Sequence, residues 1–264
     1  MNEFVMIDAA IWRDHPQFDA LTRTANAVPL YADLPSANAS HFGPWLLQAD
    51  AFDACPPGDG PRDLPWRYGV SRLETDASVA SLTVHLESQR SIAMMEGDRY
   101  YLRYADTRAL AALARVLTPE QFQQLKGPVV HWHYLDRFGE ERTFGVGVPA
   151  DPRRHAMIVL SDEQSARLLE QQLAGALADE LAADRSDSTQ PHLPAGQYPH
   201  VEASAAFVLM HDIGPLDVQR HIATVAVETC GAVLMDPQFL AKVESSRASG
   251  QWDELMKWRA ASPI

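Results

Sequence analysis

Residues 100–132 read YYLRYADTRALAALARVLTPEQFQQLKGPVVHW, and the reading of this stretch sets the architecture on either side of it. Asp106 can cap a helix whose Leu110, Leu113, Ala114 and Leu117 recur at i, i+3, i+4 and i+7, a single apolar stripe. Thr118-Pro119-Glu120-Gln121 starts a second helix. Thr118 fits the N-cap, Pro119 the first helical position, and Gln121 closes a capping box. Leu117 and Phe122 stand where a hydrophobic staple would, and Gly127 followed by Pro128 stops the helix. Tyr100–Tyr104 before the helices and Val129–Tyr134 after them read as strands. The stretch therefore predicts strand, helix, helix, strand, with no catalytic motif.

Upstream, Phe4–Ile7, Val28–Tyr31, Pro44–Leu47 and Tyr68–Leu73 are predicted strands, Pro16–Ala25 a helix, and Ala54–Pro65 a loop dense in Pro, Gly and Asp. Asp76 is the expected cap of a helix through Gln89, with Val79, Leu82 and Leu86 on one stripe. Ile92–Met95 should pair with Tyr100–Tyr104 as a hairpin closed by Glu96-Gly97-Asp98. Downstream, Thr143–Val148 should return beside Val129–Tyr134 around a turn at Gly139.

Composition shifts near residue 150, with Val148–His155 as the boundary. Beyond it the pattern is almost wholly helical. Ser161-Asp162-Glu163-Gln164 is another capping box, and Leu169, Leu173, Leu177 and Leu181 follow at every fourth residue as a slanted stripe. After a polar linker over Asp187–Pro199, helices are predicted over Glu202–His211, Pro215–Cys230, Pro237–Ser246 and Gln251–Arg259. Gly214 and Gly231 are stops, and Asp236-Pro237 is a cap. The expected fold is an α/β (α+β) domain with a mixed sheet over residues 1–150, then an all-α lobe over 155–264.

With 264 residues, 46% of them hydrophobic, the chain can bury a sizeable core. Its net charge of −13 argues against a nucleic-acid partner, which would call for a basic field. Residues 155–264 hold 7 Lys+Arg against 15 Asp+Glu, so the helical part carries most of the negative charge. Cys55 and Cys230 make neither a disulfide framework nor a metal knuckle, and fit a reduced compartment. MNEFVMIDAA lacks the pattern of a signal peptide, and the longest apolar stretch, near Ala203–Met210, falls well short of the ~20 residues that span a bilayer. A cytoplasmic protein with no membrane span is expected.

Several residues invite chemistry. His131-Trp132-His133 puts two imidazoles on one face of a strand, within reach of one metal ion, with Trp132 facing the other way; no further ligand stands at a recognisable spacing. Phe144-Gly145-Val146-Gly147 has glycines two apart but no helix after them, so it reads as a bent strand rather than a phosphate loop. His85-Leu86-Glu87 and His200-Val201-Glu202 lack the paired cysteines of a zinc deaminase. Neither a nucleophile elbow nor a phosphate-binding loop is present. Arg99, Arg103 and Arg108 cluster at a strand–helix corner. They either bind an anionic partner group or pin the corner, Arg103 pairing with Asp106 or another local carboxylate. Among the tryptophans, Trp252 and Trp258 are expected to be exposed and to suit a protein–protein hot spot.

The order of segments resembles the chaperone/adaptor family of bacterial type VI secretion. Met6-Ile7-Asp8-Ala9-Ala10 is similar to that family's opening strand, Gly43-Pro44-Trp45-Leu46-Leu47 to its Gly-Pro element, and Gly69-Val70-Ser71-Arg72-Leu73 to a following strand. His85-Leu86 resembles the end of its next helix. The most specific element is Arg103-Tyr104-Ala105-Asp106-Thr107-Arg108-Ala109-Leu110, followed by Gly127-Pro128 and Trp132. Leu160–Gln164, Gly214–Val218, Gly231 and Asp236-Pro237 resemble its later helices. Thr107 stands where a Pro is common in that family and Ala10 where a Gly is. The resemblance implies a non-enzymatic protein with no cofactor, metal or catalytic residue. It would bind a cognate secreted effector and load it onto the spike tip protein. The cargo surface is expected between the two lobes, with Arg103, Arg108, Trp252 and Trp258 as candidate partner-binding residues and Arg103, Asp106, Gly127 and Pro128 as a structural corner. The alternatives are a hydrolase or metal-dependent enzyme using His131 and His133, or an immunity protein that neutralises a toxin.

Overall fold

The computed structural model describes residues 1–34, 39–54, 56, 64–145, 157–185 and 192–258. The elements run β1 (Asn2–Asp8), α1 (Ala9–Trp12), α2 (Phe18–Thr22), β2 (Val28–Pro29), α3 (Ala39–Phe42), β3 (Pro44–Gln48), α4 (Ala49–Asp53), α5 (Leu64–Arg67) and β4 (Val70–Thr75). Then come α6 (Val79–Ser88), β5 (Ser91–Met94), β6 (Arg99–Tyr101), α7 (Thr107–Val116), α8 (Pro119–Lys126), β7 (Val129–Leu135), β8 (Glu141–Phe144) and β9 (Ile158–Leu160). The remainder is helical: α9 (Asp162–Ala183), α10 (Tyr198–Met210), α11 (Leu216–Glu228), α12 (Pro237–Ser249) and α13 (Asp253–Met256). The chain divides into two compact units, Met1–Ala166 and Arg167–Ile264, later than the composition shift suggested. The expected boundary segment 148–155 lies outside the described residues.

In the first unit a six-stranded antiparallel sheet has the order β2-β3-β1-β4-β7-β8. β1 lies inside the sheet and Phe4, Val5, Met6 and Ile7 are all buried, which explains its uninterrupted apolar run. Strand alternation then assigns the two faces. Phe4, Met6, Leu46, Leu73 and Trp132 share one face, where the ring of Tyr104 meets Trp132 edge-on at 6.5 Å. Val5, Ile7, Leu47 and Val70 share the other, packed beneath Trp12, Phe18, Leu21 and Phe52. That second cover extends over β1 and β3. Further along the same face the side chains turn polar: Arg72, Glu74, His131, His133 and Thr143.

A smaller mixed sheet has the order β6-β5-β9, with β5 and β6 antiparallel and β5 and β9 parallel. The hairpin is the one expected at Glu96-Gly97-Asp98, and Gly97 has φ +98°. β9 was not legible in the helical pattern after residue 150. The Gln121 amide of α8 donates to the Val159 carbonyl at 2.9 Å, and the Gln164 amide donates to the Val116 carbonyl at 3.0 Å. Both Gln121 and Gln164 also close the capping boxes foreseen at Thr118 and Ser161.

Three local expectations need correction. Ser78, not Asp76, caps α6, its hydroxyl accepting from the Ser81 amide. β4 continues to Thr75, so the chain has to turn at 76–77 before a helix can begin. On α9 the buried residues are Leu168, Ala174, Gly175, Leu177, Ala178 and Leu181, while Leu169 is exposed. A four-residue step advances about 40° beyond a full turn, so of the expected row Leu177 and Leu181 are buried while its Leu169 end has left the buried face. Thirdly, α10 begins at Tyr198, with Pro199 in its first turn rather than in a linker.

The second unit is all helical. Phe207, Val208, Val218, Ile222, Val225, Phe239, Val243 and Leu255 form the core shared by α10, α11, α12 and α13. Gly231 (φ +83°) lies beyond the end of α11, and the Asp236 carboxylate caps α12 through the Gln238 and Phe239 amides. Among the described residues no helix is long and apolar enough to cross a membrane.

Gly127 ends α8 at φ +56°, and a Cβ there would lie 2.0–2.5 Å from ring atoms of His85. The next residue, Pro128, offers its carbonyl to the buried Thr75 hydroxyl at 2.8 Å, so the turn is tied to β4. Gly127→Ala should cost about 2–4 kcal/mol in denaturant unfolding, combining backbone strain with overpacking. Wild-type stability in this variant would show that the turn is free to move.

Candidate functional site

The corner that the sequence singled out is built from two buried carboxylates. Asp8 ends β1 and caps α1 by accepting from the Ala10 amide at 2.8 Å. Asp106 caps α7 by accepting from the Arg108 amide at 3.1 Å. Arg103 bridges them, with Nη2 at 3.0 Å from Asp8 Oδ2 and 3.5 Å from Asp106 Oδ2. Arg108 grips Asp106 through Nε and Nη2, both at 3.1 Å, and lies over the Tyr68 ring at 5.3 Å. Burial pushes the Asp8 carboxyl above its ordinary range, against the opposing pull of Arg103. Thr107, fully buried, donates its amide to the Tyr68 carbonyl (2.8 Å) and its hydroxyl to the Leu135 carbonyl (2.7 Å). A Pro at this position would remove both bonds. Arg103 remains half exposed, and Arg99 is exposed on β6.

A second cluster lies on the polar end of the main sheet. His131 Nδ1 is 2.7 Å from Glu74 Oε2, and His133 Nε2 is 3.2 Å from Glu74 Oε1. The other nitrogen of His133, Nδ1, meets the Thr143 hydroxyl at 2.9 Å. The imidazoles hold the Glu74 carboxyl below its usual range, the hydrogen bond to His131 contributing most. Trp132 is buried on the opposite face. Glu74 was not foreseen. It comes from β4, directly across from His131, and β4 shifts register between Glu74 and Thr75. No spacing within one segment announces such a partner. Next to it, Arg72 lies opposite His133 and is itself paired with Glu3 (3.0 Å) and Asp53.

The remaining candidates separate. Trp252 and Trp258, expected to be exposed, are half buried against the helical core, and Trp258 meets Phe239 edge-on at 5.3 Å. They flank the short helix α13, whose Leu255 is buried in the same core. His85 turns its Nε2 to the Leu125 carbonyl at 3.1 Å, and His200 and Glu202 lie in α10. Gly147 and Cys55 lie outside the described residues; Cys230 is exposed. Among the described residues the exposed aromatics are instead Phe42 at the end of α3 and Tyr100 and Tyr101 on edge strand β6, at 53%, 51% and 61%; Met95 in the hairpin turn and Val159 on β9 are exposed beside the two tyrosines' sheet. Tyr101 keeps its ring 6.2 Å from that of Tyr31.

Residues 4–124 match the family model described as Domain of unknown function (DUF4123). The match includes Asp8, Glu74, Arg103, Asp106 and Arg108, and stops before Gly127, His131 and His133. Neither the curated proteins nor the solved structures gave a match to the chain.

Arg103→Ala should lower stability by about 1–2 kcal/mol at neutral pH, a figure discounted for the half-exposed guanidinium. The loss should depend on pH with a definite sign. Without Arg103 the Asp8 carboxyl rises further, and a carboxyl raised in the folded state costs stability above its unfolded value of about 3.9. The deficit should therefore be small near pH 3–4 and grow as pH rises through the folded-state value. Adding Asp8→Asn should recover part of it. Urea unfolding across that range measures this, and a deficit independent of pH would contradict the bridge.

Proposed function

We propose that this protein is a bacterial adaptor-chaperone of type VI secretion, working in the cytoplasm. It binds one cognate effector and carries it to the spike tip protein. The observation that carries the reading is the ordered set of motifs. Five of those that resemble the adaptor family, from Met6–Ala10 to Arg103–Leu110, fall in the segment matched by the family model, and the most specific of them supplies Arg103, Asp106 and Arg108 of the corner. On this reading the corner is scaffold, holding the α7 end of the domain rigid. Cargo meets the β5–β6 hairpin, where Tyr100, Tyr101 and Met95 offer exposed apolar area beside Arg99. Aromatic and Arg anchors of this kind carry most of the energy in protein interfaces. An extended segment of the effector adding to the β6 edge would gain main-chain hydrogen bonds as well.

Affinity purification of tagged protein from its native host, with mass spectrometry of what it retains, tests this. Recovery of the product of a neighbouring gene bearing a toxin domain, with or without a spike protein, is the expected result. No stable partner from cells expressing the secretion genes would overturn it. In the Tyr100→Ala/Tyr101→Ala variant, retention of that effector should fall at least tenfold with the melting temperature within a degree or two, since both side chains are exposed. Deleting the gene should leave the cell healthy but unable to deliver the toxin. Self-poisoning would identify an immunity protein instead.

A further inference from the structure

We propose that Glu74, His131 and His133 form a binding site for a divalent transition-metal ion of the zinc class. This goes beyond the adaptor reading and does not depend on it. The inference rests on geometry first. The candidate ligand atoms of the three side chains all lie within 4.8 Å of one another. The two N···O separations, 2.7 and 3.2 Å, bracket the ligand–ligand edge of an octahedral site and approach that of a tetrahedral one. Ligands about 2.0–2.1 Å from zinc are separated by roughly 2.9 Å in an octahedron and 3.4 Å in a tetrahedron. An ion could thus take the place of the protons shared along the two N···O pairs.

The donor set points the same way. Two imidazoles and a carboxylate suit zinc, cobalt or nickel, whereas magnesium and calcium favour all-oxygen sites. The backbone holds the ligands in place, because His131 and His133 alternate on one strand and Glu74 lies directly across from His131 on the next. Outer support is present too. The Thr143 hydroxyl at 2.9 Å from His133 Nδ1 fixes that ring with Nε2 turned to Glu74, the relation that orients metal-bound histidines. The positive charge beside the site, Arg72, is answered by Glu3 and Asp53, leaving the Glu74 carboxylate to meet the ion. The three side chains are 29%, 34% and 39% exposed, so an ion held by them would keep at least one coordination position open to water or to an external ligand.

The test is calorimetric titration of zinc into the full chain, produced without a polyhistidine tag and stripped with a chelator. One ion per chain should bind near neutral pH, with no comparable uptake of magnesium. His131→Ala and His133→Ala should each weaken zinc at least tenfold, and Glu74→Gln should weaken it as well. Circular dichroism should show all three variants folded, since these side chains stand on a half-exposed face. Cobalt(II) added to the unaltered chain should give a d–d spectrum of nitrogen and oxygen ligation without a thiolate charge-transfer band. No stoichiometric zinc uptake would overturn the proposal. So would unchanged affinity in a His131→Ala/His133→Ala variant, or a thiolate band pointing to Cys230.

Discussion

The first unit depends on one cation placed between two buried carboxylates. Asp8 and Asp106 each satisfy the amides at the start of a helix, and each would be costly to bury as a charge alone. Arg103 lies within 3.0 and 3.5 Å of the pair, and Arg108 grips Asp106 from the other side. The consequence is positional. The end of β1, the start of α1 and the start of α7 cannot drift apart without exposing a carboxylate to its neighbour. Thr107 extends the same constraint to β7 by donating to Leu135. The starts of α1 and α7 are thus located by polar bonds at one corner, while apolar burial supplies the bulk of the free energy.

The polar end of the sheet follows from how far the second cover reaches. α1, α2 and α4 bring Trp12, Phe18, Leu21 and Phe52 over β1 and β3. On β4, β7 and β8 the same face carries side chains that water can solvate, and there Arg72, Glu74, His131, His133 and Thr143 meet. A sheet more deeply buried on one face than on the other offers a rigid backbone beneath a half-exposed polar surface. Sites on such elements are held more closely than sites on loops.

Local signals were legible and long-range pairing was not. The capping boxes at Thr118 and Ser161, the caps at Asp106 and Asp236, and the Gly97 hairpin were readable because each is decided within a few residues. The shared face of His131 and His133 was readable from strand alternation alone. Glu74 was not, since only the register of β4 against β7 brings it there. β9 was missed for a similar reason: three residues in a helical context become a strand only through parallel pairing with β5. The cap of α6 was misplaced because nothing local shows that β4 runs on to Thr75. Trp252 and Trp258 were misjudged because exposure depends on what a segment packs against, and both rings pack against the helical core.

The central claim is a division of labour, with a rigid ionic corner as scaffold and the exposed β5–β6 hairpin as the cargo surface. The most direct measurement is amide hydrogen exchange, read by mass spectrometry, on the chain alone and on the chain bound to its captured effector. The expected result is slow exchange at Ala10, Thr107 and Arg108 in both states, because those amides are already bonded in the corner. Protection should be gained over residues 95–101. Gain at the corner amides with none in the hairpin would contradict the claim and make the corner the binding site.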